Sequence, residues 1–185
     1  MSPDIAKDRE RLFQILKKSA FFREKIILSS GKESDYYFDA RRVTLSAQGA
    51  FLCGKIILDM IKNEKFDAIG GPTLGADPMV GALGVLSFQA GKPLNTFIVR
   101  KAPKPHGKQQ QIEGPLIPDH GTVILIDDVA TTGKAFVESI EVLKRIGIKV
   151  KKCVCIIDRN EGGREAVKAQ GSELVSIFTA QEFLK

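Results

Sequence analysis

Apolar and polar positions along the chain follow two periods, and the switches between them outline the elements. Over residues 4–19, Ile5, Leu12, Ile15 and Leu16 share one face of a 3.6-residue period with Asp4 near the start, which predicts a helix. The stretch KIIL-SSGKES-DYYFDARRV carries two short β-rich runs around a Ser/Gly turn and predicts a hairpin over about 25–43. Ser46 can cap a second helix over 47–62, with Phe51, Leu52, Ile56 and Ile57 inward and Asp59, Lys62 and Glu64 outward. From there apolar strands alternate with helices. Strands are expected at 66–70, 94–99, 123–127, 153–157 and 174–178. A small-residue helix follows GPTLGADP to about 90, and a charged helix lies near 161–170. A helix from about Gly133 to Ile146 has Phe136, Val137, Ile140 and Leu143 on one face and Gly147 as its stop. Such alternation implies an α/β fold with a parallel sheet covered on both faces.

No internal repeat or low-complexity tract interrupts the pattern, and 185 residues suit one domain against a norm of roughly 150. Residues 1–45 are read as an N-terminal helix and hood, and 46–185 as the core. Composition narrows the setting: 43% hydrophobic and 27% charged residues argue against long disorder. Three cysteines, Cys53, Cys153 and Cys155, make a disulfide framework a poor reading and a reducing cytoplasm the expected one. The histidines are His106 and His120 alone, which leaves zinc without a ligand set. No apolar run approaches the roughly 18 residues of a membrane span, and the mixed-charge start is unlike a secretory signal, so no membrane partner is expected. A net charge of +6 favours an anionic partner, and charge alone does not choose between nucleic acid and a phosphorylated metabolite.

The sharpest chemistry lies in VILIDDVATTGKA, residues 123–135. An apolar strand delivers Asp127 and Asp128 at its carboxyl end, where parallel sheets bind ligands. Thr131-Thr132-Gly133 then opens a helix, which gathers free N–H groups, the positive dipole end and hydroxyl donors at one point. That describes a phosphate cradle. Carboxylates beside it would repel a phosphate but suit a neighbouring diol, and together the two specify a ribose 5-phosphate. The plainer reading is that the two acids merely end a strand and cap a helix; the attached phosphate turn makes it the weaker one. A Walker A loop fails because Asp128 and Ala135 stand where Gly and Ser/Thr belong, and GGPTLG has Pro72 where a dinucleotide fingerprint needs its second Gly.

Two further places carry charge. Arg100–Lys108 holds Arg100, Lys101, Lys104, His106 and Lys108 without an acid, and Pro103 and Pro105 forbid a regular helix. A polar basic loop between strands can close over an anion, although most charge runs are simply solvated. Arg159 follows CVCIID at a strand's carboxyl end, where its fork could bind a planar carboxylate or pair with Asp158 or Glu161.

Residues 123–135 resemble the phosphoribosyl diphosphate (PRPP) signature of the type I phosphoribosyltransferases. Within that superfamily the chain is similar to the orotate phosphoribosyltransferases, from SGKESDYYFDARR through TLGADP and RKAPKPHG to DDVATTGKA and DRNEGG. The resemblance implies the type I fold, a central parallel sheet flanked by helices with an N-terminal hairpin or hood. It implies Mg²⁺-dependent, reversible transfer of ribose 5-phosphate from PRPP to orotate, giving orotidine 5′-phosphate and pyrophosphate in pyrimidine synthesis. It places PRPP on Arg100, Lys101, Lys104, His106, Asp127, Asp128, Val129, Ala130, Thr131, Thr132, Gly133, Lys134 and Ala135, and orotate on Thr131 and Arg159. Lys104 is the residue chosen for closest approach to the leaving oxygen, and Tyr37 and Phe38 match the aromatic pair beside the pyrimidine. Mg²⁺ is expected to arrive on PRPP with its waters rather than in a protein cage. A homodimer is implied, with the basic loop shared between subunits. Ser29 and Gly75 replace two lysines of one family branch, leaving Gly75 and Asp77 to present N–H groups and a route to Mg²⁺. His120, in a PDHG turn, is read as structural. A transferase for another base would not need Arg159, and a PRPP-sensing regulator would need a separate basic surface or aromatic platform; none is evident, so no nucleic-acid partner is expected.

Overall fold

The two most continuous apolar runs, VILI and CVCII, lie side by side in the middle of one sheet. The computed structural model describes residues 3–27, 33–102, 111–115 and 117–185. In chain order the elements are α1 (Pro3–Ser19), β1 (Phe21–Phe22), β2 (Ile26–Ile27), β3 (Glu33–Ser34), β4 (Tyr37–Phe38), α2 (Arg41–Thr44) and α3 (Ala47–Ile61). They continue as β5 (Ala68–Pro72), α4 (Asp77–Gln89), β6 (Asn95–Val99), β7 (Ile112–Glu113), β8 (Thr122–Ala130) and α5 (Lys134–Arg145). The chain ends with β9 (Lys149–Asp158), α6 (Gly163–Ala169), β10 (Glu173–Thr179) and α7 (Ala180–Leu184).

The six-stranded sheet runs β10-β9-β8-β5-β6-β7, parallel except for the antiparallel edge strand β7. The α/β parallel sheet expected from the pattern is therefore present. Strand period divides its side chains between two cores: Ile124, Ile126, Val154 and Ile156 join α1, α3, α4 and α7, while Val123, Leu125, Cys153 and Cys155 face α5. Burial on both faces explains why these strands read as unbroken apolar runs.

Several boundaries differ from the sequence reading. β8 and β9 extend past the expected 127 and begin before the expected 153, because polar residues at their ends still pair with neighbours. Asp127 and Asp128 consequently sit within the last turns of the β8 ladder rather than after it. The expected hairpin over 25–43 is two short antiparallel ladders, β1 with β4 and β2 with β3, and Arg41–Thr44 is helical. Phe51, expected inward, is 48% exposed, while Leu52, Ile56 and Ile57 are buried. β7 and α7 were not expected; each has too few residues to show a period. The hood is held by aromatic packing: Phe38 lies 5.0 Å from Phe183 and 5.1 Å from Phe21 between ring centroids, and Phe13 lies 4.7 Å from Phe183.

Central strand β5 carries Gly70-Gly71 because nothing larger fits between its neighbours. A Cβ on Gly71 would lie 1.9 Å from the Ile126 carbonyl oxygen and 2.8 Å from the Ala76 Cβ. Backbone cannot yield as a side-chain tip does, so Gly71→Ala is expected to destabilise the protein by about 3 kcal/mol, read as a lower urea midpoint.

Candidate active site

The carboxyl ends of β5, β6, β8 and β9 open onto a cavity of about 650 Å³, roofed on one side by the N-terminal hairpin. Its walls include Asp127, Asp128, Val129, Thr131 and Ala135 from β8, the turn and α5, Arg100 and Lys101 from the end of β6, and Arg159 from the end of β9. Residues separated by more than fifty positions thus meet because parallel strands all end on one side.

Asp127 is 8% exposed. The Asp128 N–H donates to Asp127 Oδ1 at 2.9 Å, and the Val129 N–H donates to Asp128 Oδ1 at 2.8 Å, so each carboxylate is held by the next backbone amide. Burial first, and then the charge of Asp128, push Asp127 well above the ordinary carboxyl range. Burial also raises Asp128, with the Val129 amide and the Arg41 charge acting the other way. Opposite them Gly75 approaches so closely that a Cβ there would lie 2.2 Å from Asp127 Oδ1 and 2.7 Å from Asp128 Oδ1. The Gly75 noted in the sequence therefore stands where a Cβ would press on both carboxylates and require them to shift. Asp77 accepts from the Thr73 hydroxyl at 2.7 Å through Oδ2, and its Oδ1 is buried without a partner.

After β8 the chain turns through Gly133, at φ 77°, into α5. A Cβ at Gly133 would meet the Gly163 carbonyl oxygen at 2.9 Å, so both the left-handed backbone and the contact with the α6 entry call for glycine. The N–H groups of the first turn of α5 have no intrahelical acceptor, and the helix dipole adds positive potential there. That end of the cavity suits an anion; the carboxylate end, polar and acceptor-rich, suits hydroxyls.

Arg159 is 3% exposed and carries its charge into the cavity wall. Its Nε donates to Glu161 Oε1 at 2.8 Å, which is the ion pair the plainer sequence reading named. Asp158, fully buried, pairs with Arg164 at 2.6 Å instead. The ring beneath the Arg159 guanidinium is that of Tyr36, 4.3 Å away. Both members of the expected aromatic pair, Tyr37 and Phe38, line the cavity, Phe38 while 4% exposed and packed in the aromatic core.

A phosphoribosyl transferase domain model matches residues 44–182. The orotate phosphoribosyltransferase of Aquifex aeolicus is 38% identical over 180 residues, spanning 96% of this chain and 98% of its own. The chain belongs to the orotate phosphoribosyltransferase family. Among solved structures, the orotate phosphoribosyltransferase of Mycobacterium tuberculosis H37Rv in complex with Fe(III) dicitrate superposes with a TM-score of 0.82 at 31% identity, covering 95% of this chain and 98% of that one. The same protein in complex with PRPP gives 0.79 at 29% identity, covering 96% and 99%.

Within this orotate phosphoribosyltransferase fold, the site residues expected from sequence divide into three groups. Asp127, Asp128, Val129, Thr131, Ala135, Arg100, Lys101 and Arg159 line one cavity. Ala130 ends β8 and Thr132 and Gly133 form the turn beside the cavity, and the Lys134 side chain is 80% exposed and lies 3.7 Å from Glu138, which itself lines the cavity. Lys104 and His106 lie outside the described residues, as does Ser29. Sequence reasoning missed Arg41, which lines the cavity 3.6 Å from Asp39 and in the field of Asp128. The signal available was the DARR run itself, whose first arginine follows the hairpin by three residues. Among the described residues, no group of three or more His, Cys, Asp or Glu is arranged to hold a metal ion.

Proposed function

We propose that this protein transfers ribose 5-phosphate from PRPP to orotate, forming orotidine 5′-phosphate and releasing pyrophosphate, a step of pyrimidine synthesis. The observation that carries the reading is the meeting, in one cavity, of the Asp127–Asp128 pair, the Thr131 turn at the start of α5 and the buried Arg159. In this reading the turn holds the 5-phosphate, the carboxylates accept from the ribose 2′- and 3′-hydroxyls, and Arg159 with Thr131 holds orotate. Arg100, Lys101, Lys104 and His106 draw charge from departing pyrophosphate, with Lys104 nearest the leaving oxygen. Positive charge develops on the sugar ring in the transition state, so the residues act by placement and electrostatics rather than by forming a covalent intermediate. Mg²⁺ fits here as an ion carried in on PRPP with several of its waters: hard oxygen acceptors face the cavity, and the ion would neutralise diphosphate charge.

The protein named in the PRPP complex is the structural neighbour that supports PRPP as substrate here. We further propose a homodimer in which the basic loop is shared, supported by the exposed apolar side chains Phe51, Val85 and Phe88 on α3 and α4. A cytoplasmic setting is supported by three free, buried thiols, of which Cys53 is pushed up to about 12 by burial. Among the described residues no helix is long and apolar enough to cross a membrane.

The test is ultraviolet loss of orotate with purified protein, PRPP and Mg²⁺, beside hypoxanthine, adenine and uracil. Consumption of orotate that requires both PRPP and Mg²⁺, with the other bases inert, is the expected result. Turnover of another base in place of orotate would refute the role given to Arg159.

A further inference from the structure

Arg159 is held from two sides by groups that no substrate contact explains. From the core, Glu161 Oε1 accepts from Nε at 2.8 Å; from the hairpin, Ser34 Oγ accepts from Nη2 at 2.9 Å. The Tyr36 carbonyl lies at 3.5 Å from Nη1, and the Tyr36 ring covers one face of the guanidinium. Neither jaw is loose. Ser34 Oγ donates to the Tyr36 carbonyl at 2.8 Å and accepts from the Tyr36 N–H at 3.3 Å, so with Arg159 its hydrogen-bonding capacity is filled.

Glu161 can reach back two residues because Asn160 adopts the left-handed region, φ 56°. That turn is itself pinned: the Asn160 N–H donates to Asp158 Oδ1 at 2.8 Å, and its side-chain amide donates to Gln181 Oε1 at 2.7 Å. The Arg159 N–H donates to the Ala130 carbonyl at 2.9 Å, which ties the arginine's backbone to the strand bearing Asp127 and Asp128.

A guanidinium has five N–H donors in a fixed plane. With Nε taken by Glu161, one Nη2 hydrogen by Ser34 and one Nη1 hydrogen by the long contact to the Tyr36 carbonyl, the donors still available sit at the Nη1–Nη2 end. We propose that Glu161 and Ser34 are positioning residues that hold Arg159 in the one orientation offering this end to a planar carboxylate. The inference rests on the reading of orotate as substrate and deepens it: specificity for a carboxylated pyrimidine belongs to three residues from two separate parts of the chain. Glu161 also brings a negative charge near an incoming carboxylate, so orientation and repulsion oppose each other. Orientation is expected to dominate, because a buried arginine without its acceptor would turn to find another.

Steady-state kinetics on the full-length enzyme tests this with Glu161→Gln, Glu161→Ala, Ser34→Ala and Arg159→Ala. Glutamine keeps an acceptor for Nε and removes the charge; it is expected to leave the KM for orotate within about threefold of wild type. Glu161→Ala and Ser34→Ala are each expected to raise that KM about tenfold, the usual loss for one hydrogen bond to a charged group, with the KM for PRPP unchanged and kcat little altered. An unchanged or lowered orotate KM in both alanine variants would overturn the inference, as would an equal rise in the KM for PRPP. Ser34 lies outside both hydrophobic cores, so Ser34→Ala keeps the test decisive even if Glu161→Ala folds poorly. Arg159→Ala separates the two levels. If it raises the orotate KM while Glu161→Ala and Ser34→Ala do not, positioning alone fails; if it too has no effect, the substrate reading of Arg159 fails with it.

Discussion

Replacing Asp127 with asparagine is expected to remove most of the activity and, at the same time, to make the ligand-free protein more stable. Asparagine retains Oδ1 as the acceptor for the Asp128 N–H, so the backbone geometry at the end of β8 persists. What disappears is a buried negative charge beside a second one. In the transferase reading, that charge accepts from a ribose hydroxyl, and a hydrogen bond to a charged group contributes about 1.5–3 kcal/mol, or roughly 10–100-fold in kcat/KM for PRPP. Asp128→Asn acts in the same direction, and because the two groups interact their effects will not add. The stability side follows from titration. Burial and the neighbouring carboxylate raise the folded pKa of Asp127 above its unfolded value of about 3.9. Below that value both states are protonated; above it the unfolded chain ionises while the folded one resists, so stability falls as pH rises through the folded pKa and then levels. Asparagine does not titrate, so the advantage of the variant opens above about pH 4 and persists at neutral pH, on a scale of about 0.5–2 kcal/mol. Urea denaturation of wild type and Asp127→Asn from pH 4 to 8, beside PRPP kinetics, checks both halves. Equal stability across that range would show that the pair carries no strain in the folded protein.

That conflict between local stability and function explains why some parts of the molecule could be read from the chain and others could not. The parallel sheet was visible because strands buried on both faces leave unbroken apolar runs such as VILI and CVCII, a signal independent of partner strands. The Asp127–Gly133 segment was visible for a different reason: two acids, two threonines and a glycine are a poor choice for an apolar strand end unless a ligand meets them there. Ser34 and Tyr36 had no such local oddity. Each is an ordinary residue in a polar stretch, and its importance arises only when the hairpin folds over the end of β9, bringing positions 34 and 159 to 2.9 Å. Tyr37, named by resemblance, lines the cavity, while its neighbour Tyr36 lies against Arg159, and nothing local in the sequence assigns those two places. Gly75 likewise reads as a turn residue until Asp127 and Asp128 are placed against it.

The largest single effect on substrate choice is expected from Arg159. Its side chain is 2% exposed and paired with a carboxylate, so its charge works in a medium where ion pairs are strong and unpaired charges are costly. Truncation to alanine removes the one cation at the end of β9 that lines the cavity among the described residues, and leaves Glu161 near the site as an uncompensated negative charge. A carboxylated pyrimidine then loses its partner and meets repulsion instead. Breaking a buried charge pair from one side costs about 3–5 kcal/mol, which corresponds to a fall of roughly 10²–10³ or more in kcat/KM for orotate. PRPP binding, which draws on the β8 turn and the carboxylate pair, is expected to change by no more than about threefold, since well-separated contacts act independently. Arg159→Lys is expected to fall between wild type and alanine: an ammonium keeps the charge but lacks the planar fork needed to satisfy Glu161, Ser34 and a ligand together. Equilibrium PRPP binding and orotate kinetics on both variants make the comparison. If alanine lowered PRPP affinity as much as orotate turnover, Arg159 would be a general support of the cavity rather than the group that selects its base.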